Sequence, residues 1–266
     1  MISVSNIAWS PEEDAAAFQL LREMEIGHIE VAPGRIWPAA GETPRDQVAS
    51  AMASLHEAGL GISGFQAILF GKPELKLFDE TSNDLRSYLE RLAAVCAEAG
   101  GQYLVFGAPK NRWIPEGMDP AAAFEKAVSF FRILGATASK LGVTFGIEAN
   151  PEAYGCNFCT HAADVAALVR AVDSPGVRWH LDAGEFAMNS EPVRETILAH
   201  ADLIGSMHVS QPNLGDFASP WDGHASVAAA LNEAGYSGPI SLEMKRPPEG
   251  LSGVRQAISF LLATYQ

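Results

Sequence analysis

The chain is poor in cysteine and in basic residues, and it has no long apolar run. Only three cysteines occur in 266 residues, an odd number that cannot close a disulfide framework and that fits a reducing compartment. Cys156 and Cys159 form a lone C-x-x-C with no second pair to complete a structural zinc site, so they read as ordinary reduced thiols. Eighteen lysines and arginines face 32 aspartates and glutamates, leaving a formal charge of −14. That balance disfavours nucleic acid, whose binding rests on a basic surface and counterion release. It suits a neutral substrate or a divalent cation, and it tolerates a phosphorylated substrate only through a local basic patch. No apolar stretch approaches the ~18 unbroken residues of a membrane span, so no membrane partner is expected. The start, Met1 to Trp9, lacks the basic opening and small-residue cleavage pattern of a secretory signal, and a cytoplasmic location is expected. The first strand–helix turn, Ile7 to Pro11, carries neither a G-x-G-x-x-G nor a P-loop pattern, which removes the usual ligand device of an open doubly wound sheet.

What the chain does have is rhythm. β-rich runs alternate with alanine- and leucine-rich amphipathic segments from end to end. Strands are predicted near 2–9, 26–32, 60–68, 102–107, 143–149, 177–182, 203–209 and 239–243. Helix starts carry cap-then-proline phrases at Ser10-Pro11, Thr43-Pro44 and Asp119-Pro120. Gly59, Gly100, Gly142 and Gly235 follow helical stretches as left-handed caps would. Eight strand–helix units with short connections predict an α/β fold, a single (β/α)8 TIM barrel spanning residues 1–266 as one domain.

Four of the predicted strands end in a potential metal ligand. Glu148, Asp182, His208 and Glu243 close the runs Val143–Glu148, Val177–Asp182, Leu203–His208 and Pro239–Glu243, at intervals of about one βα unit. Singly, each acid reads equally as a helix cap or a solvated rim charge, and a lone histidine as a core residue. Together, on the last four strands of a barrel, they concentrate negative charge in one mouth, which is costly without a cation. Three carboxylates and an imidazole suit one divalent metal ion: manganese first, with magnesium, cobalt, iron or zinc as alternatives.

The phrases Phe145-Gly-Ile-Glu-Ala-Asn-Pro151, His180-Leu-Asp-Ala-Gly184, Met207-His-Val-Ser210 and Ile240-Ser-Leu-Glu-Met-Lys245 resemble the xylose isomerase-like superfamily of sugar phosphate isomerases and epimerases, and within it the ketose 3-epimerases. The resemblance implies that Glu148, Asp182, His208 and Glu243 hold the ion. It also implies that Glu148 and Glu243 move protons at a carbon next to a carbonyl, through an enediolate. Two positions depart from the epimerase pattern: Glu185 stands where a histidine is common, and Gln211-Pro-Asn213 where an arginine often follows. Endonuclease IV, a distant relative, needs further zinc-binding histidines on strands three and four, where this chain has Phe65-Gln66 and Phe106-Gly107.

Substrate contacts are expected from Glu30, Glu185, Asp222, His224 and Lys245. Glu30 ends the second strand, and Lys245 shares a strand face with Glu243. Asp222 and His224 read equally as a helix cap. His180 shares a face with Asp182 and reads as a hydrogen-bonded core residue or as a group stacked beneath the ion. Trp9, Trp37, Phe70 and Trp113 follow strands one to four, where they wall a sugar site or pack against helices. The expected partner is a small carbohydrate, with a homodimer or homotetramer as the expected assembly. A lyase or dehydratase acting on a keto-sugar, and a non-catalytic sugar-binding barrel, are the competing readings.

Overall fold

The computed structural model describes residues 1–266. Eight parallel strands close into a barrel in sequence order: β1 Ile2–Ser5, β2 His28–Val31, β3 Gly61–Phe65, β4 Tyr103–Phe106, β5 Thr144–Glu148, β6 Val177–Asp182, β7 Ile204–Val209 and β8 Ile240–Leu242. The main helices are α1 Asp14–Glu23, α2 Pro33–Ile36, α3 Arg45–Glu57, α4 Ser82–Glu98, α5 Pro120–Leu141, α6 Ala162–Val172, α7 Ala183–Asn189, α8 Val193–His200, α9 His224–Glu233 and α10 Leu251–Tyr265. No helix is long and apolar enough to cross a membrane.

The predicted α/β barrel is the observed one, although most strands are shorter than the sequence suggests. The first ends at Ser5 because Asn6 leaves the sheet in a short 3-10 turn, where its side chain accepts a hydrogen bond from Ala32 N at 2.8 Å. The helix punctuation holds at most positions. Asp119 caps α5 by accepting from Ala122 N at 3.0 Å, and Gly59, Gly100, Gly142 and Gly235 all have positive φ. Thr43 is not a cap: α3 starts one residue later, behind Pro44, and Thr43 instead bonds back to Ala40 O.

Strand alternation sorts the chain into two environments. Residues such as Val4, Ile29, Leu104, Phe145, Leu181, Met207 and Leu242 pack between sheet and helices in one continuous apolar core. The inward face is mostly polar. Ser3, Glu30, Ser63, Tyr103, His180, Ser206 and Ser241 are all buried inside the ring and bond to one another across it. A polar lumen is stable only if its groups find partners, and here the partners come from strands distant in sequence.

Candidate metal centre

Register places the four strand-end groups beside one another. Glu148 pairs with His180, Asp182 with His208, and His208 with Ser241. Glu243 continues the β8 ladder through its N–H to Val209 O at 3.0 Å. Suitable ligand atoms of Asp182, His208 and Glu243 lie within 4.8 Å of one another, as do those of Glu148, His180 and His208. His208 is common to both groups and stands at the centre. Of the four sequence-predicted ligands, Asp182, His208 and Glu243 thus form one group, and Glu148 joins His208 in a second that includes His180.

His208 is held from below. Its Nε2 lies 2.8 and 2.9 Å from the two oxygens of Glu30, which also accept from Tyr103 OH at 2.7 Å and Ser241 Oγ at 3.2 Å. Nδ1 therefore faces the mouth, 3.2 Å from Glu243 Oε2 and 3.8 Å from Asp182 Oδ2. It is buried there without a hydrogen-bond partner, since Glu243 is near enough but out of line. Burial works against a charged imidazole, yet the carboxylates of Glu30 and Glu243 hold the His208 pKa well above its usual value. An imidazole nitrogen aimed without a partner at two carboxylates is the arrangement a divalent cation fits, with Glu30 supplying the outer carboxylate of a carboxylate–histidine–metal relay.

The acids are tuned by the same crowding. Burial, then the charges of Asp182 and Glu243, push Glu148 up to about 8. Burial raises Asp182 to about 6 against the attraction of His208. Asp182 also caps α7: Oδ1 accepts from Glu185 N at 3.0 Å, and Ser210 Oγ donates to both oxygens at 2.7 Å. Asn150 Nδ2 joins Glu148 to Glu185, at 3.0 and 3.4 Å. Burial and then Glu148 hold Glu185 well above the carboxylate range. Gly107 permits this packing, because an added Cβ would overlap the Glu148 carboxylate.

A cavity of about 400 Å³ opens over these groups, lined by Glu148, Asp182, Glu185 and Glu243 together with Lys245 and the loop residues Tyr154 and Gln211. Of the expected substrate contacts, Glu185 and Lys245 line it. Lys245 Nζ donates to Asn213 O at 3.1 Å. Three others do not. Glu30 is fully buried beneath His208: it alternates with Ile29 and Val31, which pack outward in the apolar core, and so points into the lumen. Asp222 is solvent-exposed and away from the cavity. His224 lies buried behind Gln211. Burial lowers the His224 pKa to about 4, so the neutral ring accepts from Gln211 Nε2 at 3.0 Å and donates from Nδ1 to Tyr265 OH at 2.7 Å.

His180 is a lumen residue, with Nδ1 on Ser206 Oγ at 2.7 Å and its ring edge-on to His208. Burial drives its pKa well below the usual value. Of the loop aromatics, Trp9 and Trp37 are buried, whereas Phe70 and Trp113 are exposed. Asn150, Tyr154 and Ser210 were missed from sequence, although Asn150 and Ser210 follow Glu148 and His208 by two residues and share their strand face.

Several solved structures share this architecture. The D-psicose 3-epimerase of Clostridium cellulolyticum H10, crystallised with D-tagatose, superposes with a TM-score of 0.82 at 13% identity, over 100% of this chain and 99% of that one. The 3-keto-D-glucoside 4-epimerase YcjR of E. coli gives 0.77 at 18% identity over 98% of each chain. An AP endonuclease, family 2, from Brucella melitensis gives 0.76 at 15% identity over 98% of each. Likeness at such identities is likeness of fold. No curated protein sequence matches the chain. The sequence profile of the xylose isomerase-like TIM barrel, in contrast, matches residues 18–264. By that match, which takes in Glu30 and the four strand-end residues Glu148, Asp182, His208 and Glu243, the chain belongs to the xylose isomerase-like TIM-barrel family.

Proposed function

We propose that this barrel is a divalent-metal-dependent sugar isomerase or epimerase, working in the cytoplasm on a small carbohydrate. One observation carries the reading: carboxylates from β5 and from the end of β8 face the same cavity, with the His208 Nδ1 and Asp182 pair between them. Glu148, Asp182, His208 and Glu243 would hold the ion, and a set of three carboxylates and one imidazole favours manganese. Such an ion polarises a substrate carbonyl and its neighbouring hydroxyl, a contribution of several kcal/mol.

The chain's own groups perform the proton transfers. One of the two glutamates removes the acidified proton from the carbon next to the carbonyl, leaving an enediolate, and the other delivers a proton to the opposite face of that carbon. Both glutamates line the same cavity, and each acid or base so positioned contributes ~10²–10⁴ in rate. Glu185, Lys245 and Tyr154 then contact the sugar hydroxyls from the cavity wall.

A specific feature favours elimination as the second reading. Glu185, linked to Glu148 through Asn150, has its pKa raised by burial and then by Glu148, lines the cavity, and is placed to protonate a departing oxygen, as a lyase or dehydratase requires. Proton NMR in deuterated water separates the two. Solvent exchange with the carbon skeleton and oxygen count retained supports epimerisation; loss of water or an aglycone supports elimination. The metal is tested by elemental analysis of untreated protein and of Glu148→Gln and Asp182→Asn. A stoichiometric ion that both variants lose supports the site, and unchanged content removes it.

A further inference from the structure

A second cavity, of about 390 Å³, lies on the same face of the barrel over the loops after β3, β4 and β5. Its walls are Lys76 and Phe78 from the first loop, Lys110, Trp113 and Pro115 from the second, and Gly155 from the third. It adjoins the metal cavity across that third loop, since Tyr154 faces one hollow and Gly155 the other.

The charge of this hollow is opposite to that of its neighbour. Lys76 and Lys110 both line it, and neither forms an ion pair with any carboxylate. Lys76 Nζ is fixed by donating to Lys110 O at 2.7 Å, which brings its ammonium against the second loop with two N–H groups to spare. The one acidic residue in the lining, Asp79, has its carboxylate engaged by Thr81 N and Oγ at 2.8 and 2.7 Å. A third lysine, Lys126, reaches Asp79 O at 3.2 Å. Arg112, in the same loop as Lys110 but outside the lining, is buried with all three guanidinium nitrogens lacking a hydrogen-bond partner. In a chain of net charge −14, such a group of cations locally reverses the field that would otherwise repel an anion.

We infer that this hollow is an anion subsite: it binds a carboxylate or phosphate group carried by the sugar, with Lys76 and Lys110 on the charge and the exposed face of Trp113 against the adjoining carbon skeleton. An ammonium gives a phosphate or carboxylate a charge-assisted hydrogen bond of about twice the usual strength, and an indole face covers the apolar side of a sugar ring. The metal cavity, with four carboxylates, takes the neutral reacting end. The identity of that end rests on the proposed isomerase chemistry, but the anion subsite does not.

The experiment titrates metal-replete protein with D-glucuronate, D-glucose 6-phosphate and neutral D-glucose by calorimetry, for wild type, Lys76→Gln/Lys110→Gln and Lys76→Arg/Lys110→Arg. The expected result is tighter binding of at least one anion than of glucose. The double glutamine variant loses that preference by ~10-fold or more, about 1.4 kcal/mol, and the double arginine variant keeps it. The preferred anion shows whether the site takes carboxylate or phosphate. Equal binding of glucose and both anions overturns the inference, as does an anion preference that survives in the glutamine variant. The same titration on Asp182→Asn separates the two sites. Anion binding retained there upholds the subsite as separate from the metal cavity, and anion binding lost there assigns the anion to the metal cavity and overturns it; absence of proton exchange on any sugar in metal-replete wild type would sink the isomerase reading and leave the subsite standing.

Discussion

Glu30 shows how much a single buried carboxylate can determine. It accepts hydrogen bonds from His208, Tyr103 and Ser241 inside the lumen, so Glu30→Ala strands three buried donors. Unsatisfied buried groups cost ~1–3 kcal/mol each, and loss of an outer-sphere partner to a metal-binding histidine weakens metal affinity ~10–100-fold. Both effects are expected, read by denaturant unfolding and by competition with a chelator of known affinity; unaltered metal affinity would remove Glu30 from the relay. Its role was not legible in the sequence. An acid at the end of a predicted strand reads as a mouth residue, and the side chains that enclose Glu30 in the lumen, Tyr103, His208 and Ser241, come from strands far away in sequence. The strand-end acids Glu148, Asp182 and Glu243 were legible because each closes an apolar run whose alternation fixes the inward face. Asp222 and His224 misled in opposite ways: Asp222 is exposed to solvent outside the cavity lining, and His224 is buried with Gln211 taking the cavity position in front of it.

At the scale of elements, α7 and the metal cavity share one residue. Asp182 caps the helix through Glu185 N and takes two further bonds from Ser210. Asparagine caps a helix about as well as aspartate, whereas alanine costs ~1 kcal/mol. With metal removed from all three proteins, Asp182→Asn is therefore expected to unfold near the wild-type denaturant midpoint and Asp182→Ala at a lower one, while neither variant takes up metal when it is supplied. If Asp182→Asn kept full metal content, the carboxylate would be serving the helix alone. The punctuation of elements was well read where a local rule governs it, as at Asp119 and the positive-φ glycines. It was less well read where a tertiary contact does, as where Asn6 leaves β1 to meet Ala32. The loop after β7 was not legible at all. Asn213 and Leu214 are both left-handed, Tyr154 OH accepts from Asn213 N at 2.8 Å, and Lys245 holds Asn213 O, all contacts between chain segments far apart in sequence.

For the whole molecule, the acidic mouth makes stability depend on pH and on metal together. The Glu148 pKa stands near 8 in the folded chain against 4.5 for a free carboxyl. The folded state thus retains a proton that the unfolded state has released, and the associated stability is complete below about 4.5 and lost as pH rises through about 8. Asp182 behaves likewise up to about 6. His224 acts in the other direction, with stability lost as pH falls from 6.5 toward about 4. After chelation, Glu148→Gln should gain in melting temperature relative to wild type as pH rises from 5 to 8, and manganese should abolish that gain by restoring the wild type. A difference between the two proteins that stays flat with pH would show that Glu148 is not a strained acid. Barrel closure itself was legible from eight strand–helix units whose first turn lacks the glycine-rich phrase of an open doubly wound sheet.

His208 and Glu30 meet although they are separated by 178 residues. A chain emerging from synthesis carries the lower half of this relay long before it carries the upper half, and distant pairings of this kind form late and slowly. The relay has no intermediate form: until the last strands dock against the first, the imidazole has nothing to orient it. Capture of an ion during refolding would then act as a clock on ring completion, timing the final step of assembly.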